Sequence, residues 1–348
     1  MRRALVIRFS SLGDLILTLP SLEYLISTGV EVHVLTKESF LPLFEVFGKK
    51  VNVRLISNHA TFLELVQKTL KLRQYQYDVV YDLHRNLRSF IVGLILRRPV
   101  RRVRKFRAKE LVLYLFHGRI YRFLKLKAID RRQAALNTVG APTTFKGDQA
   151  LLQHLPPPAE TVQTWAQNFP RGYVCIARES AWQQKEWPIE RFIEVARKLH
   201  KDGFGIVWVG LKKIPKEAIF SGSLDLTANL SLAQVAGVLK GAKLLFCNDS
   251  GLMHLSEAVG TPVMAVFGPT SLELGFAPRL EGSAIIQRDL WCRPCSKTGR
   301  WCIRPFHRWK CLDEVSVAQT YEVLQKSAIS SKVPAGTALS TEDSRSST

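Results

Sequence analysis

Nowhere in the sequence do apolar residues run uninterrupted for about 18 positions, the length at which a hydrophobic stretch can span a bilayer, so no membrane-crossing helix is expected. No secretory leader is expected either. Met1-Arg2-Arg3 precedes the short apolar run Ala4 to Ile7, but Arg8 and Asp14 break it before any small-residue cleavage site, which points to a cytoplasmic chain. Cysteine is scarce, with 6 in 348 residues, so a disulfide-built scaffold is not expected and reduced thiols are. Acidic side chains are in short supply too: 29 against 50 Lys and Arg, a formal charge of +21. Such an excess draws a protein towards polyanions, whether nucleic acid, anionic lipid or a phosphorylated substrate. The excess is uneven, since Arg97 to Lys127 holds twelve basic residues and one acid, Glu110.

What is present is globular material, 46 % apolar and 23 % charged, in a chain long enough for two domains. β-rich apolar segments alternate with helical patterns: Ala4 to Arg8 then Leu15 to Ser27, Glu31 to Thr36 then Phe40 to Phe47, Asp78 to Leu83 then a helix through Leu96. That rhythm predicts a parallel sheet with helices on both faces. Near Leu151 to Pro158, "LLQHLPPPAE" interrupts it, because Pro156-Pro157-Pro158 can continue neither element. The rhythm then restarts with "YVCIA" (Tyr173 to Ala177), "GIVWVG" (Gly205 to Gly210), "KLLFCND" (Lys243 to Asp249) and "PVMAVFG" (Pro262 to Gly268) as buried parallel strands. The expected fold is therefore α/β with two doubly wound domains, 1–155 and 159–326, followed by a Ser/Thr-rich disordered tail at 327–348. Chemistry in such a pair belongs in the strand-to-helix loops, across a cleft between the carboxyl ends of the two sheets.

Two of those loops carry residue types suited to an anion. After the strand Leu244 to Cys247 come Asn248-Asp249-Ser250-Gly251 and a helical run from Leu252, whose first amides lack intrahelical partners. Asp249 or Ser250 can equally be a simple helix cap. In "IARESAWQQKEWPIERF" the chain leaves a strand at Ala177 and enters a helix at Pro188, with Ser180 and Lys185 between. Lys185 is by itself as well explained as a solvated surface lysine. Arg178 suits either a phosphate or an ion pair with Glu179 or another acid.

Together these stretches resemble glycosyltransferase family 9, the heptosyltransferases of bacterial lipopolysaccharide. The likeness is most specific at "NDSGLMHLSEAVGTPVMAVFGPT", which looks like the family's Asp-Thr-Gly-Leu-x-His stretch with its later Gly-Thr-Pro and Phe-Gly-Pro-Thr. "KEWP" resembles the family's lysine before Trp-Pro, "IRFSSLGDLILTLPSLEYL" its Ser-Ser-Leu-Gly-Asp start, and "YDVVYDLHRNLRS" its Asp-Leu-x-x-x-x-Arg-Ser region. The stretches follow in order over residues 4 to about 325.

The resemblance implies the GT-B fold, two Rossmann-like doubly wound domains facing a central cleft. It implies an inverting transfer of heptose from ADP-heptose to an inner-core sugar of lipopolysaccharide, on the cytoplasmic face of the bacterial inner membrane and with no cofactor. Within it the loop Ser10, Ser11, Gly13 faces the nucleotide loops, Gly13 permitting the turn, and Asp14 serves as general base on the acceptor hydroxyl. Lys185, Ser180 and the Asp249-Ser250-Gly251-Leu252 helix start stabilise the departing diphosphate. Asp14 alone reads as a helix cap. His254 either faces the diphosphate or packs inside, and His84 and Arg88 either lie near the acceptor, where Arg88 suits an acidic sugar carboxylate or phosphate, or are ordinary helix-face residues. Two departures leave the nucleotide base and the sugar open. Ala177-Arg178-Glu179-Ser180 stands where many members carry a Pro-Gly-Ala-type turn, and "GLKKIPKEAIF" offers only Glu217 as an acid for the nucleotide ribose. A GT-B transferase with another nucleotide-sugar or acceptor is thus the second reading.

"RRPVRRVRKFRAKELVLYLFHGRIYRFLKLK" interleaves basic and large apolar residues, as suits an anionic membrane surface, or a helix packed by one face on its domain. RNA would also suit it, but no recognised nucleic-acid module accompanies it. A non-catalytic RNA-binding protein is the third reading, and Asp14, Lys185 and Asp249-Ser250-Gly251 together argue against it. Finally Cys292, Cys295, Cys302 and Cys311 read either as a structural zinc or iron–sulfur site or as buried free thiols.

Overall fold

The structure, a computed structural model, describes residues 2–45, 51–124, 126–145, 155, 157–329 and 337–340. They form two compact units, Met1–Phe106 with Asp130–Pro156, and Arg107–Ile129 with Pro157–Thr348.

In the first unit the elements run β1 (Arg3–Ile7), α1 (Leu12–Ser27), β2 (Glu31–Lys37), α2 (Leu41–Glu45), β3 (Asn52–Ile56), α3 (Phe62–Leu72), β4 (Val79–Asp82), α4 (Leu87–Leu96) and β5 (Val100–Arg102). After α5 (Arg107–Leu115) and α6 (Arg119–Phe123), which belong to the second unit, α7 (Arg131–Val139) returns to the first and packs on α1. The sheet order is β3-β2-β1-β4-β5, all parallel. Ala4 to Ile7 are sealed from solvent on both faces, which is why β1 reads as a continuous apolar run. Because β2 lies on one side of β1 and β4 on the other, the chain reverses its winding between β1 and β4. The carboxyl ends at such a switch point are where ligands bind in open α/β sheets.

The second unit repeats the plan: α8 (Glu160–Ala166), β6 (Tyr173–Ala177), α9 (Ile189–Lys201), β7 (Gly205–Trp208), β8 (Ser223–Asp225), α10 (Leu232–Gly241), β9 (Leu244–Asn248), α11 (Gly251–Ala258), β10 (Val263–Phe267), β11 (Ala284–Gln287), α12 (Lys310–Asp313), α13 (Val317–Ile329) and β12 (Thr337–Ser340). Its parallel order, β12-β11-β10-β9-β6-β7-β8, puts the switch point between β6 and β9. Helix α9 shows the logic of the layers. Phe192, Val195, Ala196 and Leu199 recur at helical spacing and are fully buried, while Lys198, His200 and Lys201 sit at its negative C-terminal end. Pro188 is its N-cap, one place before the first helical position expected for it. Cys175 and Cys247 are core residues of β6 and β9, and burial pushes both thiols upward in pKa.

Two sequence expectations change. The excursion Arg107–Ile129 was expected inside the first domain, but it packs on the second: the Ile129 amide donates to the Glu273 carbonyl at 2.9 Å, and Arg122 pairs with Asp289 at 3.2 Å. A Cβ on Gly275 would stand 2.2 Å from the Ile129 carbonyl oxygen, so only glycine, here with φ of 80°, allows that approach. Of the expected disordered tail, 327–329 continue α13 and Thr337–Ser340 pairs with β11, whose edge offers unpaired backbone groups. The remaining tail positions, 330–336 and 341–348, lie outside the described residues.

Candidate active site

At the first switch point the centre is an arginine that sequence reasoning passed over. Arg8, at the end of β1, donates through Nε to the Ser10 carbonyl at 2.8 Å and through Nη1 to the Leu83 carbonyl after β4. Its Nη2 meets Asp14 Oδ2 at 2.7 Å. The same carboxylate oxygen accepts from the Ser11 amide at 3.4 Å and the Ser11 hydroxyl at 3.2 Å, so Asp14 is a helix-start cap as well as an ion-pair partner. Gly13 was expected to permit a turn. It lies instead buried in the first turn of α1, with no left-handed backbone.

Across the sheet, Asp82 is fully buried, and its Oδ1 accepts the amides of His84 and Arg85 at 3.1 and 2.6 Å, which shapes the loop after β4. The His84 ring stacks edge-on to Phe9 with centroids 5.5 Å apart, and its Nδ1 has no hydrogen-bond partner among the described residues. Burial, reinforced by the charges of Arg8 and Lys105 and opposed by Asp14 and a Ser10 backbone hydrogen bond, lowers its pKa to about 4. His84 is therefore neutral at pH 7. Because the unfolded chain binds this proton and the folded chain does not, its contribution to stability is present above about pH 6.5 and is lost as pH falls towards 4. His84→Gln is expected to remove the fall in unfolding free energy that this group causes between those values, about 3 kcal/mol at most over the whole window, read from denaturant titrations against the parent chain. An unchanged slope would remove the buried neutral imidazole. Arg88 is exposed on the first turn of α4, whose cap is the reciprocal pair of Asn86 and Ser89.

The second switch point is organised by Trp187. Its ring is buried against Phe192 and Phe246, its indole N–H donates to the Val315 carbonyl at 3.1 Å, and its amide donates to Asn248 Oδ1 at 3.0 Å. That anchor fixes the turn two residues earlier, where Lys185 is only 8 % exposed and so is no solvated surface lysine. Its Nζ lies 2.6 Å from Asp249 Oδ2, which also accepts the Thr270 hydroxyl at 2.8 Å. Ser180 closes the ring from β6, its hydroxyl donating to the Asp249 carbonyl at 2.8 Å and its amide to Glu186 Oε1 at 3.0 Å. Lys185, Ser180 and Asp249 are thus brought together as expected, and Thr270 joins them. Ser250 does not cap α11, and its hydroxyl is buried with no hydrogen-bond partner among the described residues. Gly251 and Leu252 open α11, and His254 is buried one turn on, 6.4 Å from the Phe276 ring centroid. The Arg178–Glu179 ion pair is not what forms. Arg178 donates to the Lys213 carbonyl at 3.1 Å, and Glu179 accepts the amides of Leu211 and Lys212 after β7. A Cβ at Gly210, where φ is 144°, would sit 2.6 Å from Glu179 Oε1. Glu217 is exposed in a short turn after β7.

Arg293 is the other residue the sequence did not flag. Almost sealed from solvent, its guanidinium donates to the carbonyls of Phe267 at 3.2 Å and Thr270 at 2.7 Å and to Gln287 Oε1 at 2.8 Å. It pins the loop that carries Thr270. Its neighbouring cysteines, read from the sequence either as a structural metal site or as buried free thiols, are free thiols in this structure. Among the described residues no three of His, Cys, Asp or Glu are gathered to hold an ion. Cys292 and Cys302 sulfurs instead face the Arg304 guanidinium at 3.9 Å and the Trp309 amide at 3.5 Å. Burial, with the neighbouring Cys302 and Cys292 adding to it, raises the Cys295 thiol to about 11, and burial raises Cys311 to about 12.

A protein-family model described as glycosyltransferase family 9 (heptosyltransferase) matches residues 66–301, more than half of the chain. The chain belongs to glycosyltransferase family 9. Lipopolysaccharide heptosyltransferase 1 of Pseudomonas aeruginosa is 26 % identical over 316 residues, covering 85 % of this chain and 86 % of that protein. The protein of the same name from Escherichia coli K12 is 26 % identical over 292 residues, covering 77 % and 88 %. Among solved structures, E. coli heptosyltransferase WaaC with ADP matches with a TM-score of 0.67 at 22 % identity, over 93 % of this chain and 99 % of that one. This family 9 enzyme therefore has the GT-B fold and is a glycosyltransferase of the heptosyl-transferring kind. Both switch-point clusters belong to it: an acid held by an arginine and a helix start in one unit, and a lysine held against an aspartate in the other.

Proposed function

We propose that this enzyme transfers heptose from ADP-heptose to an inner-core sugar of lipopolysaccharide, with inversion at the anomeric carbon, at the cytoplasmic face of the bacterial inner membrane. The observation that carries the donor half is the buried Lys185 ammonium at the mouth of β6 and β9, beside the α11 amides. An ammonium has three donors. One is spent on Asp249, which orients the group, and the others serve the diphosphate, whose charge grows as the glycosidic bond breaks. The unpartnered Ser250 hydroxyl and the N-terminus of α11 add neutral donors on the same side.

For the acceptor half, Asp14 takes the proton of the attacking hydroxyl. Arg8 and the Ser11 amide fix the orientation of the carboxylate from two sides at once. A single displacement through this base inverts the sugar. No step calls on a metal or a redox group. Arg88, exposed at the start of α4, is placed for an anionic acceptor group.

The test is transfer from ADP-heptose to a heptose-free inner-core acceptor, with the anomeric configuration of the product read by NMR, alongside UDP-GlcNAc as competing donor. Product of inverted configuration from ADP-heptose alone is expected. Transfer from UDP-GlcNAc instead keeps the transferase and removes the donor, and a retained configuration removes the single-displacement base.

A further inference from the structure

We propose that the surface made by α5, α6 and the segment Trp291 to Trp309, all within the second unit, docks the enzyme on an anionic lipid bilayer. The proposal rests on the lipid-linked acceptor of the proposed function for its purpose, and it places the contact on the nucleotide-binding unit, where the sequence had put the basic stretch in the other domain.

The two segments are one surface. The His117 ring lies 5.9 Å from Trp291 and its Nδ1 3.4 Å from the Pro294 carbonyl, and Arg122 reaches Asp289 at 3.2 Å. Across it large apolar side chains face solvent: Leu115 is 63 % exposed, Phe123 86 %, Trp301 72 % and Phe306 79 %. Leu111 and Leu115, one turn apart on α5, form a stripe that the helix turns away from its own unit while Leu113 is buried. An apolar patch of this kind on a soluble unit marks an interaction site.

Charge selects the occupant. Residues 107–129 hold six basic side chains and one acid, and 291–311 hold six and none. Arg107, Lys109, Arg119, Lys127, Arg300 and Arg308 are exposed around the apolar set. A second copy of the same surface would bring like charges together, which argues against self-association. RNA is served by aromatic rings for stacking, whereas α5 turns the aliphatic Leu111 and Leu115 to solvent. Acyl chains bounded by phosphate headgroups match both features, the apolar side chains entering the headgroup boundary and the basic ones meeting phosphate.

The experiment is co-sedimentation of the full chain with vesicles of phosphatidylglycerol and phosphatidylcholine, and of phosphatidylcholine alone, with Phe123→Glu/Leu124→Glu and Trp301→Ala/Phe306→Ala variants. Calorimetric ADP binding verifies that each variant is folded and, since it is independent of vesicles, keeps failure of this proposal separate from failure of the proposed function. Parent protein is expected to bind the anionic vesicles only, in a salt-sensitive manner. Each double variant is expected to bind at least about ten-fold more weakly with ADP affinity retained. Undiminished vesicle binding by both variants overturns the proposal, as does loss produced by Leu87→Glu/Leu94→Glu on α4 of the first unit instead. Failure of the parent to bind vesicles, combined with binding of a short RNA or with self-association that these variants abolish, overturns it and gives the surface that other occupant.

Discussion

Asp14→Asn is expected to lower kcat for heptosyl transfer by about 10²- to 10⁴-fold, the usual worth of a positioned general base, while leaving the affinity for ADP unchanged. Asparagine is the informative substitution because Asp14 has a structural duty beside the proposed catalytic one. Its Oδ2 meets Arg8 at 2.7 Å and accepts from the Ser11 amide at 3.4 Å, so the group also fastens β1 to the start of α1. An amide oxygen keeps the cap and a neutral contact to Arg8, but it cannot accept the acceptor's proton at neutral pH. Asp14→Ala removes the cap as well and strands the guanidinium, at a structural cost of about 1–3 kcal/mol, which a lower melting temperature registers. If both variants lose transfer but only the alanine one loses stability, base and cap are separate roles of one carboxylate. Transfer by Asp14→Asn within about threefold of the parent, far short of a base's contribution, would sink the base assignment and leave Asp14 as a cap.

How much of this was legible before the structure follows from burial. β1, β6, β9 and β10 are sealed on both faces, so their apolar runs announced them to within a residue or two. β3, β5 and β8 escaped notice because they lie towards the sheet edges and are short and half-exposed, with no run to see. The site divides in the same manner. Lys185 and Asp249 are far apart in the chain yet lay in loops after two such strands, and a motif tied them together. Arg8 read as a mere interruption of a hydrophobic run, because its three partners come from the following loop, from α1 and from beyond β4. Arg293 was hidden by its setting between two cysteines, which drew attention to metal chemistry while its guanidinium was holding the Thr270 loop. Nor could local pattern say which body the amphipathic α5 and α6 would join. An apolar stripe states that something covers it or will cover it, and does not name the partner.

Lys185→Ala should cost more than a lost contact, because of what it leaves behind. In the intact protein the Asp249 carboxylate is buried and balanced by the ammonium 2.6 Å away and by the Thr270 hydroxyl at 2.8 Å. Without the lysine an uncompensated carboxylate remains at the place proposed for the diphosphate, where like charge would oppose binding. kcat/KM for ADP-heptose is expected to fall by about 10²- to 10³-fold, the worth of a preorganised donor to a developing anion, with weakened ADP affinity accounting for part of the loss, unlike Asp14→Asn. The double variant Lys185→Ala/Asp249→Asn isolates the repulsion. Neutralising the stranded acid is expected to restore ADP affinity substantially, while kcat stays depressed because no ammonium meets the leaving diphosphate. ADP binding that is indifferent to Lys185→Ala, measured by calorimetry, would show that the Lys185–Asp249 pair only supports the fold of the loop. The nucleotide would then have to be held by the α11 amides alone.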